Sequence, residues 1–159
     1  RTESARIRDI AWSIDGSSVG NVWNQVGRAA VGLKEFAAAA DAKLRSMHFV
    51  LRTSGIVYVE GYAYANLPCL VRGLQARTLV SHGSVSEALA AADDALAMLP
   101  THTETITGLV RDLDAAGKKT EADALFRRGW DAYAALLKQH PNSGWLKYSA
   151  AWLAAGCNR

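Results

Sequence analysis

The residue types in this chain best able to bind a metal or to catalyse are four histidines and two cysteines. A zinc or iron site needs several such ligands at close, regular spacing. His48, His82, His102 and His140 have no His-x-x-x-His or Cys-x-x-Cys companions, and Cys69 and Cys157 lie 88 residues apart. Neither a metal nor a cofactor is expected. His82, His102 and His140 fall beside predicted turns, where exposure to solvent is the expectation, and His48 opens an apolar run as a hydrogen-bonded core residue. Gly117-Lys-Lys-Thr120 ends as a phosphate loop ends, but Asp112 stands where the earlier glycine is required and no strand precedes it. It reads as a turn. Gly16-Ser-Ser-Val-Gly20 has no lysine after it and reads as a helix break. The carboxylates of Asp93-Asp94 and of Asp112 and Asp114 are adjacent or alternate, so on a helix each pair points to different faces. No Gly-x-Ser-x-Gly elbow offers a nucleophile. The chain is expected to have no catalytic residues and not to be an enzyme.

Composition narrows the remaining classes. Half of the 159 residues are apolar, which suits a folded globular chain and excludes disorder. Twenty-nine alanines against three prolines favour helices. The net charge of +3 is mild, and Glu121 and Asp123 interrupt the densest basic group, Lys118, Lys119, Arg127 and Arg128. Mixed signs of this kind mark a solvated helix face, so no nucleic-acid partner is expected. No run approaches the ~20 apolar residues that span a bilayer, and a cytoplasmic location is favoured. Arg1 stands where an initiator methionine would, so the chain is read as processed or cut from something larger.

Apolar spacing places the helices. In the second half, Val85, Ala88, Leu89, Ala92, Leu96 and Leu99 recur at helical intervals up to Pro100. Ser84 with Glu87, and Thr101 with Glu104, have the spacing of capping boxes. Ile106, Leu109, Val110 and Leu113 mark the next helix, which Gly117 should end in a left-handed turn. A longer helix follows, with Ala122, Leu125, Phe126, Trp130, Tyr133, Leu136 and Leu137 inward, stopping before Pro141. Asn142 or Ser143 caps a last helix that closes at Gly156. Earlier, residues 3–14 predict a short helix, and Ser17 or Ser18 caps a long one running to about Arg45. The β-branched and aromatic residues from 47 to 67 suit either two strands or a helix buried on most sides; helical neighbours favour the helix. Pro68 should start another helix, where its missing N–H costs nothing.

Counting back from Pro100, Gly83, Ala88 and Ala95 occupy the turn and small-residue positions of a helix-pair repeat. Gly117, Ala122 and Phe126 occupy the corresponding positions of the next one. Over residues 68–157 the chain resembles the tetratricopeptide repeat family, for about two and a half repeats. Small residues matter because two helices cross closely only where a side chain is nearly absent. Gly129 replaces the usual alanine, Arg72 replaces an aromatic, and Pro100 and Pro141 are 41 residues apart against a period of about 34. The extra seven residues are nearly two helical turns, so a lengthened second helix would keep its buried face in phase. Residues 1–66 match poorly and are read as divergent helices capping the stack; 67–159 are the repeats, truncated in the last.

The resemblance implies an all-α solenoid of antiparallel helix pairs, about seven or eight helices, whose concave groove is lined by the first helix of each pair. It places Leu70, Gly73, Arg77 and Val80, then Glu104, Thr107, Arg111 and Asp114, at groove positions. Arg77 and Arg111 are candidates for pairing with an acidic segment, although the carboxylate-clamp pattern of the family is not reproduced. For the last pair two registers are open. Counting from Pro141 puts Trp145, Tyr148 and Trp152 in the groove, as candidate partner-binding residues. Counting from Gly156 puts both tryptophans in the helix-packing core, and core packing is favoured. The expected function is a protein-interaction or scaffolding module with a groove for a partner segment. The alternatives are an accessory or regulatory domain of a larger enzyme or sensor, and a structural subunit of a large assembly.

Overall fold

Alanine-rich runs punctuated by glycine and proline fold here as antiparallel helix hairpins. The structure, a computed structural model, describes residues 16–53 and 61–159. Among these residues there are seven helices and no strand: α1 (Gly16–Gly32), α2 (Phe36–Thr53), α3 (Gly61–Ser81), α4 (Val85–Met98), α5 (Thr103–Ala115), α6 (Lys119–Gln139) and α7 (Gly144–Cys157). The chain divides between Leu67 and Pro68 into two compact units. The short helix expected over residues 3–14 lies outside the described residues.

In the first unit, the single helix predicted up to Arg45 is instead a hairpin of α1 and α2. The break falls at Lys34, which is left-handed with φ 62°. The Lys34 N–H bonds to the Val31 carbonyl at 3.0 Å and the Glu35 N–H to the Ala30 carbonyl at 2.8 Å, tying off the last carbonyls of α1. Glycine would have signalled this conformation in the sequence; lysine does not. Ala30, Phe36, Ala39, Ala40 and Ala42 are buried, the Lys43 ammonium donates to Asn24 Oδ1, and the Arg45 guanidinium lies 5.0 Å from the centre of the Trp23 ring. The apolar segment 47–67 is not a separate helix. Its ends belong to α2 and α3, and residues 54–60 lie outside the described residues. Pro68 sits inside α3 rather than opening it. It forfeits one helical hydrogen bond there, and the boundary between the units falls beside it.

The second unit stacks the hairpins α3–α4 and α5–α6 and then α7. Cys69 Sγ donates to the Ala95 carbonyl at 3.2 Å across the first hairpin. The Tyr133 hydroxyl donates to the Thr101 carbonyl at 2.9 Å across the second. The turns repeat one geometry. Gly83 (φ 81°), Gly117 (φ 73°) and Asn158 (φ 54°) are left-handed. In each case the following N–H reaches back five residues: Ser84 to Leu79, Lys118 to Leu113 and Arg159 to Ala154. The extra seven residues of the second period lie where a lengthened second helix would hold them, since α4 has 14 residues and α6 has 21.

The predicted caps fare unevenly. Ser84 precedes α4 but makes no side-chain cap bond. The cap of α5 is His102, not Thr101: its Nδ1 accepts from the Thr105 N–H at 3.3 Å. That role buries the ring to 7% exposure, against the solvent exposure expected. Ser143 caps α7 through Leu146 N–H, as expected. The helix runs past Gly156 to Cys157, because Gly156 serves packing and Asn158 supplies the left-handed stop.

Ala88 and Ala122 are buried in a core with Ala92, Leu96, Leu109 and Leu113. Leucine at either position would overpack a helix crossing, and each substitution is expected to lower unfolding free energy by about 1–3 kcal/mol in a urea titration.

Candidate partner-binding face

The three first helices of the second unit, α3, α5 and α7, meet through glycine notches. A Cβ on Gly73 would lie 2.7 Å from Thr105 Cγ2, and one on Gly156 would lie 2.8 Å from Thr107 Cγ2. These contacts bring successive first helices together and so set the positions of the predicted groove residues.

Arg77 is paired within the chain. Its Nε donates to Asp112 Oδ2 at 2.6 Å and its Nη2 to Asp112 Oδ1 at 3.2 Å, with both side chains about one-fifth exposed. The guanidinium lies over Gly108, whose absent Cβ makes the room. This planar fork joins α3 to α5 as an ion pair within the chain. Arg111, 34 residues on, is exposed and its Nε donates to the Gly156 carbonyl at 2.8 Å. The acceptor is neutral and lies in the last turn of α7, where a cation opposes the negative helix end. Asp114 is held by Arg159, whose Nη1 and Nη2 each donate at 2.9 Å. That contact keeps the Asp114 carboxyl below the usual carboxylate range. Arg159 Nε also donates to Asp123 at 2.6 Å, so one side chain ties α5, α6 and the end of α7. Nothing in the sequence pattern signals this clamp.

The aromatic residues of α7 overturn the expectation of core packing. Trp145, Tyr148 and Trp152 are 57%, 62% and 57% exposed. The buried face of the helix is Leu146, Ser149, Ala150, Leu153 and Cys157. The Tyr148 and Trp152 rings stand 6.0 Å apart with a 54° tilt. The three rings therefore lie outside the helix-packing core. Trp130, expected to point inward, is 42% exposed and stacks on Phe126 with centroids 6.1 Å apart.

The longer α6 shifts α7 along the stack. Gly156, the thirteenth residue of α7, meets Thr107, the fifth of α5. The start of α7 therefore projects about 12 Å beyond the start of α5, at about 1.5 Å per residue. Trp145 and Tyr148 ride on this projection, and Trp152 sits nearer its base.

Among the described residues, no group of three His, Cys, Asp or Glu side chains is placed to hold a metal ion, and no helix is long and apolar enough to cross a membrane. No protein-family model, curated protein or solved structure matches the chain.

Proposed function

We propose that the chain is a tetratricopeptide-type protein-interaction module without catalysis of its own, and that α7 holds an extended partner segment bearing apolar side chains and a carboxylate. The observation that carries this reading is the exposed Trp145–Tyr148–Trp152 row on a helix whose other face packs into the stack. Tryptophan and tyrosine are enriched among the residues that dominate interface affinity. A surface fixed beforehand leaves less freedom to be lost on binding.

Charge supports the acidic character of the segment. α7 carries Lys147 and no acidic residue, and Arg111 is bonded to a carbonyl rather than to a carboxylate. From Trp145 to Gly156, which Arg111 reaches, is about 16 Å of helix, the length of about five extended residues. Selection from a random-peptide library on the immobilised protein tests the reading. Peptides rich in aromatic or aliphatic residues with Asp or Glu are expected, and Arg111→Glu should weaken them about tenfold, about 1.4 kcal/mol. A library that yields no binder, or binders indifferent to both Arg111→Glu and Trp152→Ala, would overturn it.

A second reading, a structural subunit of a larger assembly, draws support from Trp130, which exposes a large ring on α6 beside Phe126. A neighbouring subunit would then cover that ring permanently.

A further inference from the structure

We propose that His102 is an acid-released latch that holds the first turn of α5 in place against α3. The ring is buried, its Nδ1 accepts from the Thr105 N–H at 3.3 Å, and the same nitrogen lies 2.8 Å from Thr105 Oγ1. A ring nitrogen that accepts from a backbone N–H presents its lone pair there and is unprotonated, so the ring proton sits on Nε2. Thr105 is itself buried, and its side chain fills the notch over Gly73 of α3. The imidazole thus fixes both the amide that begins α5 and the side chain on which the two first helices meet.

The groups around the ring leave it little support as a cation. Glu104, in its own first turn, favours the charged form, but burial outweighs it and holds the ring below the ordinary histidine value. On α3, Cys69 is bonded to Thr105; burial pushes its thiol up to about 11, so it supplies no anion. From α6, Tyr133 has its hydroxyl engaged with Thr101 and Thr103. In the segment after α4, the Leu99 carbonyl accepts the His102 backbone N–H. The amino end of α5 is itself positive.

A proton taken from water by Nδ1 converts the acceptor into a donor facing the Thr105 N–H. That bond is lost. Nδ1–H can turn to Thr105 Oγ1, but this leaves the Thr105 N–H without its acceptor, and burial disfavours the cation, so opening of the turn to solvent favours the charged ring. The opened form binds the proton more tightly than the closed form. The stabilisation is therefore complete above the ordinary histidine pKa of about 6.5 and is lost as the pH falls below it.

Amide hydrogen exchange of the wild type and of His102→Asn, whose side chain is an uncharged cap, tests the latch between pH 7.5 and 5.5. Protection of the Thr105, Ile106 and Thr107 amides, corrected for intrinsic rates, is expected to fall in the wild type by up to about tenfold per pH unit below 6.5, the slope of one proton per opening. In the variant it should stay flat. An NMR titration of the wild type alone gives a second measurement, should the variant fail to fold. There the His102 ring and the Thr105 amide should shift together, with a midpoint below 6.5. Flat protection in the wild type, an equally steep loss in the variant, or a ring that titrates at its ordinary value without moving Thr105 would overturn the proposal.

Discussion

Gly73→Val should lower the unfolding free energy by about 3 kcal/mol in a urea titration, the upper end of what overpacking costs. Valine is the better helix former of the two, so propensity alone predicts a small gain. Space decides the sign. A Cβ at residue 73 would stand 2.7 Å from Thr105 Cγ2 and 3.0 Å from Thr105 Cβ. Those atoms belong to a stiff, branched side chain rather than to the movable tip of a long one. Relief would have to come from sliding α3 off α5, and the Arg77–Asp112 fork resists that movement. Adding Thr105→Ala in the same chain should return about half of the loss, because the two residues share one space and their effects cannot be independent. A Gly73→Val protein as stable as the wild type would mean that the first helices do not meet at this notch.

The second large effect concerns binding. Trp145→Ala with Trp152→Ala should reduce the affinity for a selected peptide by about 100-fold or more, since each large aromatic anchor commonly contributes about 2 kcal/mol. Stability should change by less than about 0.5 kcal/mol, because both rings are more than half exposed. The separation of the two readouts is the point. A residue that holds the fold loses stability when truncated, whereas a residue waiting for a partner loses only affinity. Isothermal titration calorimetry with the selected peptide, beside urea unfolding of the same protein, measures both. Full affinity in the double variant would remove α7 as the binding face.

The helical architecture of the second unit was legible wherever a residue's backbone preference and its packing role agree. Gly83 and Gly117 stop helices because they are left-handed, and the spacing from Pro100 to Pro141 carries the greater length of α6. Lys34 was not legible, since a lysine in a left-handed turn looks like any surface lysine. His102 was missed because a ring nitrogen serving as a helix cap leaves no spacing pattern. The α7 aromatics show why periodicity can mislead. Trp145, Tyr148 and Trp152 form one apolar row, and Leu146, Ala150 and Leu153 form another one position away. Bulk hydrophobicity favours burying the tryptophans. Close approach to α5 and α6 instead buries small residues such as Ser149, Ala150 and Cys157, because a neighbouring helix must fit against that side. The pairing of Arg77 with Asp112 depends on how α3 lies on α5, which no local pattern carries.

The surplus length of α6 has a geometrical meaning beyond reach. Seven added residues rotate a helix through roughly 700°, only about 20° short of two full revolutions. The projecting lip made by α6 and α7 was thus extended with scarcely any change of bearing. An insertion of five residues would have swung whatever follows by about 140° and aimed the aromatic row elsewhere. Distance and direction are separately adjustable in such a hairpin, and this chain has spent its extra turns on distance.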